Sequence, residues 1–283
     1  MELIKLFDEY IEEAKILTTK GTYRYNKSCL NYIQKCFEGL NLSYINQITS
    51  MKYIEVIKWF KENTLLKNNS INKMTSFLNI VFKRNGYSLR DDFKKLKPDT
   101  TNYKAFSNNE KNKILECLNG IPEFGNNLFY KLAVNILFDT GCRLTELLEI
   151  KVKNVIFLEN TIFLDHTKSG KKRYVFFKKE TRRLLKQVLS MYELDYLFQN
   201  ILRNRRINET DLKVFFNKKL SILSSVGSIH AHRFRKTFAV DLYLRNIDLY
   251  TIMNLLGHTD LKITQLYLNA PMEYLKAQYF NKT

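Results

Sequence analysis

The side chains best suited to chemistry are histidines and arginines in the second half of the chain. Three of the four histidines, His230, His232 and His258, lie in the last fifth of the sequence. His230 and His232 are two positions apart, which on a helix separates their directions by about 200°. Neither a His-Glu-x-x-His pattern nor a Cys-x-x-Cys pair accompanies them, so the sequence predicts no metal site and no cofactor. We expect His166 at the surface.

His232 and Arg235 form a stronger candidate. Their spacing of three places both side chains on one face of a predicted helix, whose start Ser228 is positioned to cap. An imidazole and a guanidinium side by side can both donate hydrogen bonds to an anionic oxygen. A solvated basic face is the alternative interpretation, and the neighbouring Arg233 and Lys236 favour it.

Arg143 is the third candidate, in the segment 139-DTGCRLTELLEI-150. It follows a helix-ending glycine and precedes Glu146 by three residues, so the carboxylate can hold the guanidinium in place. The surrounding leucines predict that Arg143 lies at the edge of a core, where an arginine is rarely accidental. An ordinary surface salt bridge is the alternative.

The segment 256-LGHTDLKITQLYL-268 contains His258 and Tyr267, nine residues apart. On a straight helix these side chains would lie about 13 Å apart along the axis. Gly257 is predicted to stop one helix, and Thr259 or Asp260 can cap another that begins at Leu261. Such a corner can bring His258 back toward Tyr267.

The elements that must position these residues are mostly helical. Apolar periodicity predicts four N-terminal helices, near 2–17, 22–39, 50–63 and 70–85. A capping box at 107-SNNE-110 opens the second half, and a helix from Leu128 to Thr140 follows. Residues 151–177 then predict a three-stranded meander with turns at Glu159-Asn160 and Ser169-Gly170, after which the pattern is helical to the end.

The resulting fold class is mainly α, with a helical N-terminal domain and a mixed α/β domain that carries a small three-stranded antiparallel sheet. The predicted boundaries are 1–95 for the first domain, 96–105 for a linker and 106–283 for the second domain, including a C-terminal tail helix.

The charge balance favours a polyanionic partner. The chain carries 46 Lys and Arg against 28 Asp and Glu, a net charge of +18, and both halves are basic. Nucleic acid is therefore the leading partner, although an AT-rich genome that inflates the lysine content is an alternative explanation. The sequence contains no membrane-span pattern and no signal peptide. Dispersed cysteines, with Cys29 and Cys36 on one helix face as core residues, fit the reducing cytoplasm.

Four separately spaced motifs occur in an order that resembles the tyrosine recombinase family, which includes phage integrases and Xer-type enzymes. The matching segments are 140-TGCRLTELLEIK-151, 167-TKSGKKR-173, 232-HRFRKTFA-239 and 256-LGHTDLKITQLY-267. The resemblance spans the second domain. The first domain resembles the core-binding domain of that family in size, helicity and position.

Carried over residue by residue, the resemblance implies a complete catalytic set. Arg143, His232 and Arg235 would bind the scissile phosphate, and His258 would be a further donor. Tyr267 would be the nucleophile. Lys168 would protonate the leaving oxygen, and Glu146 would support Arg143. Lys236 departs from the pattern, because many relatives have a second histidine there.

The physical chemistry agrees with these implied roles. A phosphodiester under in-line attack gains negative charge on its non-bridging oxygens, and guanidinium and imidazole donors stabilise that charge without a metal. Tyrosine is a poor nucleophile with a pKa near 10, so nearby cations that favour phenolate are useful. A phosphotyrosine also stores the bond energy, so rejoining needs no ATP.

The resemblance therefore implies a site-specific DNA recombinase that acts on a double-stranded site through a 3′-phosphotyrosyl intermediate and a Holliday junction. It would assemble as a homotetramer on DNA with exchange of C-terminal tails, and packing of the tail onto its own domain is the alternative. Because no arm-binding module precedes the helical domain, we expect a simple Xer-like enzyme or a small mobile-element or plasmid recombinase. The alternatives are a type IB topoisomerase-like or hairpin resolvase activity and a catalytically silent DNA-binding relative.

Overall fold

The computed structural model describes residues 2–87, 95–99, 104–167, 170–261 and 264–265. The chain divides into two compact units, Met1–Thr101 and Asn102–Thr283. Across the described ranges, no helix has both the length and the apolar character needed to cross a membrane.

The N-terminal unit is built from four helices and a short 3₁₀ turn within residues 2–87. The helices are α1 (Leu3–Leu17), α2 (Lys20–Gly39), α3 (Ser50–Asn63) and α4 (Asn68–Arg84), and the turn is Ile45–Gln47. The predicted helices are confirmed, with α2 and α4 each beginning two residues earlier than expected. For α2 the cause is the cap: the Thr19 side chain accepts a hydrogen bond from the Thr22 backbone N–H.

The core of this unit is aromatic and aliphatic. Phe7 contacts the rings of Phe37, Phe77 and Phe82 at centroid distances of 5.9, 5.7 and 6.1 Å. Cys29 and Cys36 are both fully buried, as expected for residues on one inward helix face.

Part of the predicted linker is attached to the N-terminal unit. The Asn72 side chain of α4 donates to the Leu96 carbonyl at 2.8 Å and accepts from the Leu96 N–H at 2.9 Å. Residues 100–103 lie outside the described part, and the domain boundaries stay a prediction.

The C-terminal unit surrounds one buried helix. Its helices are α5 (Asn108–Asn119), α6 (Gly125–Thr140), α7 (Leu144–Leu148), α8 (Lys179–Met191), α9 (Glu209–Val214), α10 (Ser221–Ser224), α11 (Ala231–Leu244) and α12 (Leu249–Leu256); a π-helical segment, Phe215–Leu220, joins α9 to α10. The predicted capping box before α5 is present, since Ser107 and Glu110 each accept from the other's backbone N–H. Helix α6 is buried on almost every side, with the polar Lys131 and Asn135 buried among its apolar residues.

The predicted meander is confirmed as an antiparallel sheet in the order β1-β2-β3. Its strands are β1 (Val155–Ile156), β2 (Thr161–Leu164) and β3 (Arg173–Phe176). Ile162 pairs with Val175, and the β1–β2 turn contains Asn160 at φ +53°. Along β3, Arg173 and Val175 are buried while Tyr174 and Phe176 are exposed, so the arginine occupies an inward-facing position.

The expectation of uninterrupted helix after Lys178 is wrong. A second antiparallel hairpin pairs β4 (Gln199–Asn200) with β5 (Arg205–Arg206). Asn204 adopts the left-handed conformation at φ +44° in the connection. Two-residue polar strands have no period-2 apolar pattern, which is why the sequence did not reveal them.

Candidate active site

The corner between α6 and α7 brings Arg143 to the start of a helix. Gly141 ends α6 in the left-handed conformation at φ +58°, and its N–H donates to the Leu137 carbonyl at 3.0 Å. A Cβ at Gly141 would lie 2.6 Å from the Phe238 ring, so both the conformation and the packing require glycine. Arg143 is consequently the N-cap residue of α7.

Glu146 holds Arg143 by two contacts. One carboxylate oxygen, Oε2, accepts from the Arg143 backbone N–H at 2.8 Å, and Oε1 accepts from Arg143 Nη1 at 2.8 Å. The Glu146 side chain is fully buried, while the Arg143 side chain is 25% exposed. The pair therefore lies at the edge of the core, with the arginine on the open side.

Sequence reasoning missed a second partner of Glu146. Arg173 Nη2 donates to Oε2 at 2.8 Å and Nη1 donates to Oε1 at 3.1 Å, in a bidentate arrangement. Burial would raise the pKa of Glu146, but the hydrogen bonds and charges of Arg173 and Arg143 lower it to about 2. The available signal was the alternation in 173-RYVFF-177, which places an arginine on the apolar face of a strand.

Arg235 lies deep in the site, at 2% exposure. From α11, its Nη1 donates to the Gly141 carbonyl at 2.8 Å and its Nη2 to the Leu256 carbonyl at 2.7 Å. The expectation that Ser228 caps this helix is wrong. The N-cap residue is His230, and Ser228 lies two residues earlier with left-handed backbone at φ +54°.

His258 follows a helix end that is fixed by backbone geometry. Gly257, at φ +68°, donates to the Asn254 carbonyl, and the His258 N–H donates to the Met253 carbonyl, each at 3.0 Å. These two bonds form a Schellman motif, which turns the chain away from α12. Helical backbone resumes at Leu261 and is present again at Thr264 and Gln265.

The His258 imidazole is buried and neutral. Its ring is hydrogen-bonded through Nδ1 to Thr264 Oγ1 at 2.8 Å, and the residue is 2% exposed. Desolvation, followed by the charges of Arg235, Arg143 and Arg173, lowers the pKa of His258 to about 3. Thr264, which sequence reasoning did not identify, fixes the orientation of the ring.

Three arginines from three different elements meet at the C-terminus of α12. Arg173 Nε donates to the Leu255 carbonyl at 2.8 Å, and Arg235 Nη2 donates to the next carbonyl, Leu256, at 2.7 Å. Arg143 Nη2 makes a longer contact of 3.4 Å with the Gly257 carbonyl. The carbonyls at a helix C-terminus have no intrahelical partner, so this position suits cations.

His232 faces the same site from the solvent side. It is exposed, and with Arg143 and Arg235 it lines a cavity of about 340 Å³. Partial desolvation, followed by the charges of Arg235 and Arg143, lowers the pKa of His232. The structure thus brings together Arg143, Glu146, His232, Arg235 and His258.

Two of the sequence-predicted residues, Lys168 and Tyr267, lie outside the described residues. Nearby in sequence, Lys171 donates from Nζ to Asn254 Oδ1 of α12 at 3.0 Å. His166 is exposed. Within the part of the chain that the structure describes, no group of three or more His, Cys, Asp or Glu side chains is arranged to hold a metal ion.

The arrangement is suited to an anion whose charge increases during a reaction. Three guanidiniums and one carboxylate leave an excess of two positive charges around the neutral His258 ring. Arg143 and His232 line the open cavity, whereas Glu146 and Arg173 are buried behind it. Fixed cationic donors of this kind stabilise developing oxyanion charge without reorganisation.

Both units match known protein families. The profile of the Phage integrase family matches residues 104–273, and that of the Phage integrase SAM-like domain matches residues 2–98. A probable integrase/recombinase of Acholeplasma phage L2 is 26% identical over 272 residues, covering 95% of this chain and 93% of the relative. The tyrosine recombinase XerC of Lactobacillus leichmannii is 33% identical over 162 residues, which cover 52% of each protein.

Solved structures have the same fold. The integrase of the Tn1549 transposon, in complex with a circular intermediate DNA, superposes with a TM-score of 0.80 at 16% identity and full coverage of both chains. A lambda integrase dimer bound to a core site gives a TM-score of 0.75 at 17% identity, covering 94% of this chain and 95% of the other.

The buried imidazole makes stability depend on pH. Because the pKa of His258 falls to about 3 in the folded state, its contribution is complete above the unfolded pKa of 6.5 and is lost progressively below that value. One such histidine lowers the free energy of unfolding by roughly 2 kcal/mol as the pH falls from 6.5 to 5. Protonation of Glu146 lowers the stability further between about pH 4.5 and 2, because its pKa is about 2 in the folded state.

Urea unfolding of the wild type and of His258→Gln at pH 7, 6 and 5 measures the first effect. Acidification should lower the free energy of unfolding less in the variant than in the wild type. The pH slope of the variant should be smaller by about one proton. His232 and His230, whose pKa values are also lowered, account for the slope that remains. Equal slopes in the two proteins would show that His258 is not held neutral.

Proposed function

This chain belongs to the phage integrase family, and from that premise we propose that it is a site-specific DNA recombinase. It cleaves and rejoins DNA strands through a covalent 3′-phosphotyrosyl intermediate and a Holliday junction. The observation that carries the proposal is the convergence of Arg143, His232 and Arg235 on one cavity, with His258 fixed behind them. Three cationic or imidazole donors around one point match the needs of a phosphodiester transition state.

In the proposed cleavage step, the Tyr267 hydroxyl gives its proton to solvent in the open cavity as its oxygen attacks the scissile phosphorus. The new O–P bond forms as the bond to the 5′ oxygen breaks, and Lys168 supplies the proton that this oxygen takes. Arg143 and Arg235 stabilise the non-bridging oxygens, and His258 donates from its neutral ring. Attack by the 5′ hydroxyl of another strand reverses the chemistry and releases Tyr267.

The partner in this proposal is a double-stranded recombination site. The net charge of +18 supports a DNA substrate, and the sequence places basic side chains in excess in both halves. We further propose a homotetramer on DNA, in which exchange of C-terminal tails connects neighbouring active sites. A cytoplasmic location accompanies the proposal, since the reaction requires access to DNA and the cysteines are free thiols.

Incubation with a nicked duplex that carries the recombination site tests the function. A denaturant-resistant protein–DNA adduct supports covalent catalysis and excludes a silent DNA-binding relative. Relaxation of supercoiled DNA without strand exchange would instead favour the topoisomerase-like alternative. Sequencing the DNA in the adduct identifies the site.

Tyr267→Phe tests the nucleophile. The substitution removes one hydroxyl from a largely electrostatic interface, so DNA affinity should change little while covalent attachment is abolished. Gel analysis of the adduct under denaturing conditions, with Tyr274→Phe as the matched control, measures the effect. An adduct formed by Tyr267→Phe at the wild-type rate would exclude Tyr267.

Lys168→Ala tests the proton donor. The 5′ oxygen needs a proton to leave, so cleavage of normal DNA should slow by about 100-fold. A 5′-bridging sulfur leaves without that proton, and this substrate should restore cleavage by the variant. Absence of rescue would mean that Lys168 only positions the DNA. Lys171 and Lys172 would then be the candidates for the proton donor.

Substitutions in 271-PMEYLKAQYFNKT-283 test the coupling of subunits. Met272, Leu275 and Tyr279 share one predicted helical stripe, whose burial against a neighbouring subunit would assist assembly. Replacing these three with alanine should preserve DNA binding but impair tetramer formation and strand exchange. Alanine at Glu273, Lys276 and Gln278 is the matched control. Sedimentation on DNA measures tetramer formation, and a recombination assay measures strand exchange. Wild-type assembly and strand exchange in the triple alanine variant would contradict tail exchange.

A further inference from the structure

Arg173 is the one guanidinium of the three at the end of α12 that has no part in the proposed cleavage step. It lies on the inward face of β3 at 7% exposure and does not line the cavity that contains Arg143 and His232. A buried guanidinium needs compensating contacts, because desolvation of an arginine is costly. Here those contacts are made with the two segments that carry the candidate catalytic residues.

The first contact is with the support of Arg143. Arg173 forms two hydrogen bonds with the Glu146 carboxylate, at 2.8 and 3.1 Å, and Glu146 in turn holds the Arg143 guanidinium and backbone N–H. With these four bonds both carboxylate oxygens are shared between two arginines. The carboxylate therefore cannot rotate away from Arg143 without breaking its contacts with Arg173.

The second contact is with the segment before His258. Arg173 Nε donates to the Leu255 carbonyl at 2.8 Å. A Cβ at Gly257 would lie 2.7 Å from Arg173 Nη1, which shows how closely the guanidinium packs against the helix end. Arg173 thus packs against the same helix end whose Schellman motif sets the direction in which the chain reaches His258.

Charge supplies an independent argument. Glu146 by itself would neutralise Arg143 and weaken the attraction of that guanidinium for an anion. Arg173 compensates the carboxylate, so the positive charge of Arg143 remains effective in the cavity. Because Arg173 is buried, salt screens this compensation much less than it would screen a surface ion pair.

We propose that Arg173 is a positioning residue for strand cleavage, which fixes Arg143 through Glu146 and His258 through the end of α12. This inference rests on the proposed recombinase function. Arg173 does not contact the phosphate. It sets the geometry of the two groups that do, and an error of about 1 Å in such geometry can reduce a rate by about 100-fold.

The test compares Arg173→Lys and Arg173→Gln with a control. Lysine keeps the charge but loses the bidentate fork, whereas glutamine loses both. Arg233→Gln is the matched control, since Arg233 is similarly buried, donates to Glu110 at 2.8 Å and packs 4.0 Å from the Phe106 ring. Single-turnover cleavage is measured at saturating DNA on a nicked duplex that carries the site recovered from the wild-type adduct.

We expect all folded variants to bind DNA with wild-type affinity. Cleavage should fall by about 10-fold in Arg173→Lys and about 100-fold in Arg173→Gln, and by less than about 3-fold in Arg233→Gln. Wild-type cleavage rates in folded Arg173→Gln would overturn the proposal. So would failure of both Arg173 variants to fold, because the arginine would then serve the fold alone.

A measurement without DNA separates this proposal from the recombinase function. Histidine NMR titration follows His258 in the wild type and in Arg173→Gln. Removal of Arg173 should raise the pKa of His258, since the guanidinium charge contributes to its depression. An unchanged titration would overturn the link between Arg173 and His258. If neither the wild type nor the control formed an adduct while the His258 titration still shifted, the recombinase function would be rejected. The link between Arg173 and His258 would remain.

Discussion

The carbonyl groups at the end of α12 are the constraint on which the rest of the candidate site depends. Leu255, Leu256 and Gly257 direct three successive carbonyls into the protein, where unpaired acceptors would destabilise the fold. Guanidiniums from β3, α11 and the start of α7 donate to them. The same bonds that complete the helix end therefore fix three arginines relative to one another. The need to pair these backbone carbonyls therefore also sets the geometry of the cationic site.

The charges of this cluster are unbalanced in a way that suits function better than stability. Arg173, Arg235 and Glu146 are buried, and Glu146 is the acidic group among three guanidiniums. A site selected for stability would pair each cation with its own carboxylate. The excess positive charge is tolerated because carbonyl dipoles accept from the arginines. It stays available to an entering phosphodiester, whose single negative charge would offset half of the excess.

The sequence predicted those features that local chemistry decides. Gly141 and Gly257 end helices, Ser107 and Glu110 form a capping box, and Glu146 holds Arg143, all through contacts within five residues. Contacts between distant segments were not predictable from spacing. Arg173 reaches Glu146 across 27 positions and Leu255 across 82, and a single sequence contains no record of either pairing. The Ser228 cap was wrong because the backbone at this serine is left-handed two residues before the helix begins.

The burial of His258 determines how proton transfer can be divided among the candidate residues. Because its pKa is lowered to about 3, this imidazole is neutral across the physiological range, which favours a hydrogen-bonding role over that of a general base. Its Nδ1 is hydrogen-bonded to Thr264 Oγ1, which orients the ring. A group that exchanges protons must reach both solvent and the reacting oxygens. His232 is open to solvent and lines the cavity. The cluster at the end of α12 therefore supplies fixed charge and orientation, and in the proposed mechanism the proton transfers are left to residues that solvent can reach.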